Sequence, residues 1–218
     1  MGLLTAIARI NSAHPWSHND AFAGFVLRQA RAVRRRGGTA ALDVGCGTGN
    51  LLARLSTIFP AVVGLEPDEE IAAVAVERFR DSSRVRIEQR RFGGEPSPLY
   101  DLIVFVASLH HMPLQAALDA VRSSLRPGGR LVIIGVAKET ARDAPRSWVS
   151  LLLNPIVGLL RHPRRARTPP LHMRASTAEA SQSFDEVRAI ASATLPGIRM
   201  RRRLFWRYTA VWVNRPEL

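Results

Sequence analysis

Residues Leu42-Asp43-Val44-Gly45-Cys46-Gly47-Thr48-Gly49-Asn50 constrain this chain more than any other stretch. A short apolar run enters a turn with glycine at every second position, and a helix-forming run leaves it. Glycine tolerates positive φ and lets the backbone approach a ligand closely. Between a parallel strand and a helix, such a turn makes a nucleotide-like site, because the first amides of the helix point at the ligand. The spacing is Gly-x-Gly-x-Gly, not the Gly-x-Gly-x-x-Gly of dinucleotide sites. Asp43 stands two positions before the first glycine. A carboxylate there suits a ligand with positive charge better than a pyrophosphate.

Strand-like and helix-like segments alternate around this turn. The pattern predicts strands over 40–44, 62–65, 85–92, 102–106 and 130–136. Helices are expected over 3–12, 51–58, 71–79, 114–125 and 184–193, the last entered near Ser183. Phe22, Phe25, Val26 and Val33 share one helical face, with Asn19 or Asp20 placed to cap it and Gly37-Gly38 to end it. Asp68 is placed to cap the helix after the second strand. Segments 198–204 and 208–213 read as a closing hairpin. Strands alternating with helices imply a parallel sheet with right-handed crossovers. The expected fold is therefore α/β, a Rossmann-like doubly wound sheet with helices on both faces.

The 218 residues fit a single domain over 1–218, with a helical cap over 1–36 and an insertion or lid over 138–176. Cys46 is the only cysteine, which rules out an internal disulfide framework or a Cys-rich zinc site; no metal is expected. No run reaches the ~18 apolar residues of a membrane span. The first residues lack the h-region and cleavage site of a leader, so the expected location is the cytoplasm. Net charge is +13, mostly from arginine. That charge attracts nucleic acid or acidic surfaces, but the arginine runs are dispersed and mostly lack interleaved aromatics. A small molecule is the preferred partner over nucleic acid, with the chain as monomer or homodimer.

Four ordered blocks carry a resemblance. They are Leu42 to Asn50, Val62-Val63-Gly64-Leu65-Glu66-Pro67-Asp68, Tyr100 to Met112 with His110-His111, and Leu125-Arg126-Pro127-Gly128-Gly129 running into Ile134. Together they resemble class I S-adenosylmethionine-dependent methyltransferases, and the ends of the chain resemble a bacterial subgroup of unknown substrate. The resemblance implies a seven-stranded sheet, mostly parallel with an antiparallel last strand. It also implies S-adenosyl-L-methionine as cofactor and S-adenosyl-L-homocysteine as product. Asp43 would hold the methionine end, and Gly45, Cys46, Gly47, Thr48, Gly49 and Asn50 would run beside the cofactor. Glu66, next to Pro67, fits the acidic residue that accepts both ribose hydroxyls. Where the family often has a carboxylate near the adenine, this chain has Arg90-Arg91-Phe92. Phe92 is expected beside the adenine, with backbone or Glu95 meeting its amino group. Ala107 and Ser108 would face the reactive side.

Methyl transfer from a sulfonium releases a neutral leaving group, so positioning supplies much of the rate. A base is needed only if the acceptor has a proton to lose. His110 and His111, after the fourth strand, are the candidate bases. Trp16, His18 and Trp148 are the candidate acceptor contacts, and the apolar run 148–160, interrupted at Asn154-Pro155, reads as a lid or dimer contact. Arg207 and Tyr208 read as structural. The expected activity is methyl transfer to a small molecule, such as a secondary metabolite. The alternatives are an RNA or protein methyltransferase using the arginine-rich surface, or a cofactor-binding protein that transfers no methyl.

Overall fold

The computed structural model describes residues 18–94, 98–161 and 179–215. The strand that enters the glycine turn, β1 (Ala40–Val44), lies inside a seven-stranded sheet. It pairs in parallel with β2 (Ala61–Leu65) on one side and β4 (Tyr100–Val106) on the other. β3 (Val85–Glu88) continues the parallel pairing beyond β2, and β5 (Leu125–Gly135) beyond β4. β7 (Tyr208–Val213) is antiparallel to β5, and β6 (Arg199–Arg202) antiparallel to β7. The order is β3-β2-β1-β4-β5-β7-β6. The strand order reverses between β1 and β4. A crevice for a ligand opens beyond the carboxyl ends of the strands at such a switch.

The strand residues alternate between two cores. Leu42, Val44, Ile103, Phe105, Leu131 and Ile133 face one, and Ala41, Val62, Leu102, Val104, Val132 and Ile134 the other. Both faces are apolar, so both need helices over them. Val26, Ala30 and Val33 of α1 (Ala23–Arg34) and Leu52 and Leu55 of α2 (Asn50–Leu55) cover the second face. α3 (Glu69–Arg78) buries Ala72 and Ala75, and Asp68 caps it by accepting the Ile71 N–H at 3.0 Å. The first face is covered by α4 (Leu114–Ser124) through Leu118 and Val121. After α5 (Ala144–Arg161), α6 (Phe184–Thr194) adds Phe184, Val187 and Ala191 to that face. Ser183 and Glu186 close a capping box at its start. Each fully buried Leu, Ile or Phe contributes about 1.5–3 kcal/mol, whereas most surface substitutions stay within about 0.5 kcal/mol. The two cores, not the arginine runs, therefore fix the fold.

The structure departs from the sequence pattern in three places. β3 ends at Glu88 rather than 92, because the Arg90 N–H turns back to the Glu88 carbonyl at 3.0 Å. Asn19 does not cap α1: the N-cap is Phe22, without a side-chain cap bond, and Asn19 Oδ1 instead accepts from Arg207 Nε at 3.1 Å. The run through Asn154-Pro155 is one continuous helix, α5, with buried Pro155 inside it. An interior proline removes one backbone hydrogen bond and crowds the preceding turn, which disfavours the helix without ending it here. The expected helix over 3–12 lies outside the described residues. Among the described residues no helix is long and apolar enough to cross a membrane.

Candidate functional site

The glycine turn runs directly off the carboxyl end of β1. The Gly45 and Cys46 N–H groups donate to the Leu65 carbonyl at 2.8 and 3.0 Å, tying the turn to the end of β2. Gly45 has φ +72°, and a Cβ there would lie 2.5 Å from Ser108 Cβ. Gly47 has φ +56°, and nothing lies within 4 Å of where its Cβ would be. Gly45 thus lets two loops touch, while Gly47 presents bare backbone to open space. Gly49 donates to the Cys46 carbonyl at 3.0 Å and leads into α2. Arg78 Nη1 braces the far side, donating to the Thr48 carbonyl at 3.0 Å and Asn50 Oδ1 at 2.7 Å. Cys46 is buried, and burial first, then the Asp43 and Glu66 charges, push its thiol up. A thiol so shielded is no nucleophile.

Two carboxylates stand behind the turn. Glu66 follows β2, is 8% exposed, and accepts the Gly47 N–H at 2.9 Å and the Asp68 N–H at 3.1 Å. Each of its oxygens still has a second lone pair. Asp43 is 2% exposed. Among the described residues nothing donates a hydrogen bond to its carboxylate. Burial, then the Glu66 charge, push its pKa up to about 7. An isolated buried carboxylate is costly unless a cation or donors meet it. Pro67, beside Glu66, is exposed.

The loop after β4 is fastened to β1. Ser108 Oγ donates to the Val44 carbonyl at 2.5 Å, and the Ala107 N–H to the Ile134 carbonyl at 2.8 Å. Ala107 itself has φ +54°, a strained value for a side chain with Cβ and one that clusters at functional sites. The 3₁₀ turn Leu109–His111 follows. The rings of His110 and His111 lie 4.1 Å apart. They differ in setting: His111 is exposed, while His110 is half-buried and lines a cleft with Met112, Val136, Gln182 and Tyr208. Phe92 is half-buried and packs edge-on against Phe105, 5.5 Å between centroids. Trp16 and Glu95 lie outside the described residues.

Of the remaining acceptor calls, His18 is half-buried and donates from Nε2 to Asn154 Oδ1 at 2.9 Å. Its ring stacks on Phe205 at 5.8 Å, and burial holds its pKa below the usual histidine value. Trp148 is 62% exposed and shares an outward stripe of α5 with Leu152 and Ile156. It does not line the cleft under that helix, to which α5 gives Arg146, Ser147 and Ser150 instead. Arg207 and Tyr208, whose position at the closing hairpin reads as more structural than catalytic, both line that cleft. Phe205 and Trp206 signal it: both have φ near +57°, at 58° and 56°, in a hairpin turn where Asn-Gly is the usual pair.

The strand order, the open glycine turn and its two buried carboxylates now meet a comparison with known proteins. Residues 42–131 match the methyltransferase domain family. An uncharacterized methyltransferase of Mycobacterium tuberculosis is 28% identical over 204 residues, 91% of this chain and 96% of that protein. The chain is similar to methyltransferases over nearly its whole length, and the likeness extends to the class I S-adenosylmethionine-dependent fold. Solved methyltransferases share the fold. The S-adenosylmethionine-bound amino pentose methyltransferase CalS10 of Micromonospora echinaspora superposes with a TM-score of 0.62 at 19% identity, covering 98% of this chain and 97% of that one. The [4+2]-cyclase SpnF superposes at 0.55 with 22% identity, covering 80% and 59%. The methyltransferase fold thus also serves a protein described by another reaction, so chemistry must be argued from the site.

Proposed function

We propose that this methyltransferase transfers a methyl group from S-adenosyl-L-methionine to a small-molecule acceptor. The observation that carries the cofactor assignment is Asp43: a buried carboxylate with no described donor, behind a turn whose Gly47 faces open space. The donor set fits a cofactor that is cationic at one end and carries hydroxyls at the other. Asp43 holds the cationic methionine end. Glu66 keeps the turn in shape through Gly47 and offers its remaining lone pairs to the ribose. Ala107 and Ser108 wall the reactive side, and Phe92 lies beside the adenine. When bound, the cofactor supplies an electrophilic methyl on a sulfonium.

The rest falls to the chain's own residues. His110, half-buried beside Tyr208, takes the proton from an acceptor hydroxyl or phenol, and His111 is too exposed to share that task. Residues around the cleft position the acceptor, which is where most of the rate comes from. A cytoplasmic location and a role in secondary metabolism fit this reading. The test is labelled cofactor incubated with the protein and a panel of small acids, phenols and amines. Transfer to one class supports the reading, and cofactor binding with no transfer to any of them overturns it.

A further inference from the structure

Among the described residues, the cleft under α5 holds a half-buried cation, Arg207, that no carboxylate meets. Arg207 sits just before β7. Its Nε donates to Asn19 Oδ1 at 3.1 Å, and its Nη1 to the Phe205 and Trp206 carbonyls at 3.5 and 3.3 Å. All three acceptors are neutral. Among the described residues no carboxylate pairs with this guanidinium, and no hydrogen bond is made by its Nη2. Its neighbour Arg202 differs, and Arg203 does not. Arg202 is neutralised by Asp143 at 3.2 Å and Asp185 at 2.9 Å. Arg203 donates from Nε to Thr209 Oγ1 at 3.1 Å and has no described carboxylate. The cleft's own carboxylates are occupied: Asp143 by Arg202 and Thr140, and Glu139 by the Ser147 hydroxyl.

The backbone around Arg207 is built at a cost. Phe205 and Trp206 both lie in the left-handed region, which disfavours side chains with Cβ. Phe205 is held there by its N–H, bonded to buried Ser150 Oγ at 2.8 Å, and by the stacked ring of His18. This turn puts Trp206 and Arg207 on the cleft wall. Tyr208, the next residue, lines this cleft and also the one containing His110. It packs over Gly135 so closely that a Cβ there would lie 2.0 Å from its ring. The two clefts therefore share one wall at the carboxyl edge of the sheet.

We infer that this cleft anchors an acceptor carrying an oxyanion, a carboxylate or phosphate, with Arg207 Nη2 as the donor and Trp206 against the acceptor's apolar part. A half-buried cation held only by neutral carbonyls is poorly compensated until an anion arrives. A charge-assisted bond to a planar guanidinium is the strong form of such a contact. A guanidinium that merely caps the turn would give no preference for charged over neutral ligands. The inference rests on the methyl-transfer reading for the role of the ligand as acceptor, while the anion site itself is judged by binding alone.

The test is an NMR titration of the full chain, following the Arg207 Nε–H and the Trp206 indole N–H. The probes are 4-hydroxybenzoate, phenyl phosphate and the neutral isostere 4-hydroxybenzamide. Saturable shifts with the charged probes, and binding of the amide weaker by about tenfold or more, support the site; the tighter charged probe names the oxyanion. Arg207→Gln loses about tenfold or more in charged-probe affinity, and Arg207→Lys restores part of it. Equal binding of acid and amide, unchanged binding by Arg207→Gln, or no saturable shift with either charged probe overturns the site. If Arg207→Gln does not fold, the acid-against-amide comparison on the unaltered chain decides alone. Calorimetry with S-adenosylhomocysteine separates the two claims. Binding of that product without any charged-probe binding removes only the anion site, and the reverse removes only the cofactor reading.

Discussion

Asp43 and Glu66 are buried carboxylates at the ends of paired strands β1 and β2, and among the described residues only Glu66 is held by backbone N–H groups. The asymmetry sets their behaviour. Glu66 is part of the scaffold, while Asp43 is pushed to about 7 from its ordinary 3.8 by burial and by the Glu66 charge. A carboxyl raised on folding stabilises the protein fully below its unfolded value. That contribution is lost as pH rises through the folded value. The cofactor-free protein is therefore expected to lose stability from this group between pH 3.8 and about 7. Asp43→Asn flattens that slope. Urea melts of both proteins across this range check it, and parallel curves contradict it.

Glu66→Ala strips the acceptor from the Gly47 and Asp68 N–H groups. Hydrogen bonds to a charged group contribute about 1.5–3 kcal/mol, so a stability loss of that order is expected, along with weaker cofactor binding. Glu66→Gln keeps one carbonyl acceptor and should recover part of the stability. Denaturant midpoints of the two variants make the comparison.

The glycines of the turn are expected to fail for different reasons. A methyl at Gly45 meets Ser108 Cβ at 2.5 Å, so Gly45→Ala forces apart two loops of the scaffold and destabilises the fold. Gly47→Ala points into open space, so it pays mainly the strain of φ +56°, about 1 kcal/mol. Gly47→Val leaves the protein folded but blocks the cofactor's approach. Melting temperature set against cofactor affinity for the three variants separates the cases; equal melting losses for Gly45→Ala and Gly47→Ala contradict it.

His110→Ala should lower kcat by about 10²–10⁴-fold if the acceptor loses a proton in transfer, while S-adenosylhomocysteine binds as before. His111→Ala should change kcat little, because His111 is exposed and lies outside the cleft. Equal losses for the two would contradict the separate roles.

Much of the sheet was legible because its strands are continuous apolar runs, such as 102–106, bounded by glycine or polar turns. The glycine turn between β1 and α2 was legible for the same reason: its spacing is local. What escaped depends on contacts far along the chain. Asn19 looked like a helix cap but bonds Arg207, 188 positions away. Trp148 looked like a pocket residue because its segment is apolar, yet the turn of α5 sets it outward. The Phe205-Trp206 pair in a tight hairpin was the one local hint, since neither residue favours the left-handed backbone it adopts.

Calorimetric titration with S-adenosylhomocysteine, on the unaltered chain and on Asp43→Asn, tests most directly whether Asp43 holds the cationic end of the cofactor. The titration belongs above the Asp43 value of about 7, where the carboxylate is ionised. The unaltered chain should bind one equivalent, lose affinity roughly tenfold per pH unit below that value, and bind about tenfold to a hundredfold tighter than Asp43→Asn. Equal affinity in the two proteins, or no binding to the unaltered chain, would contradict the account.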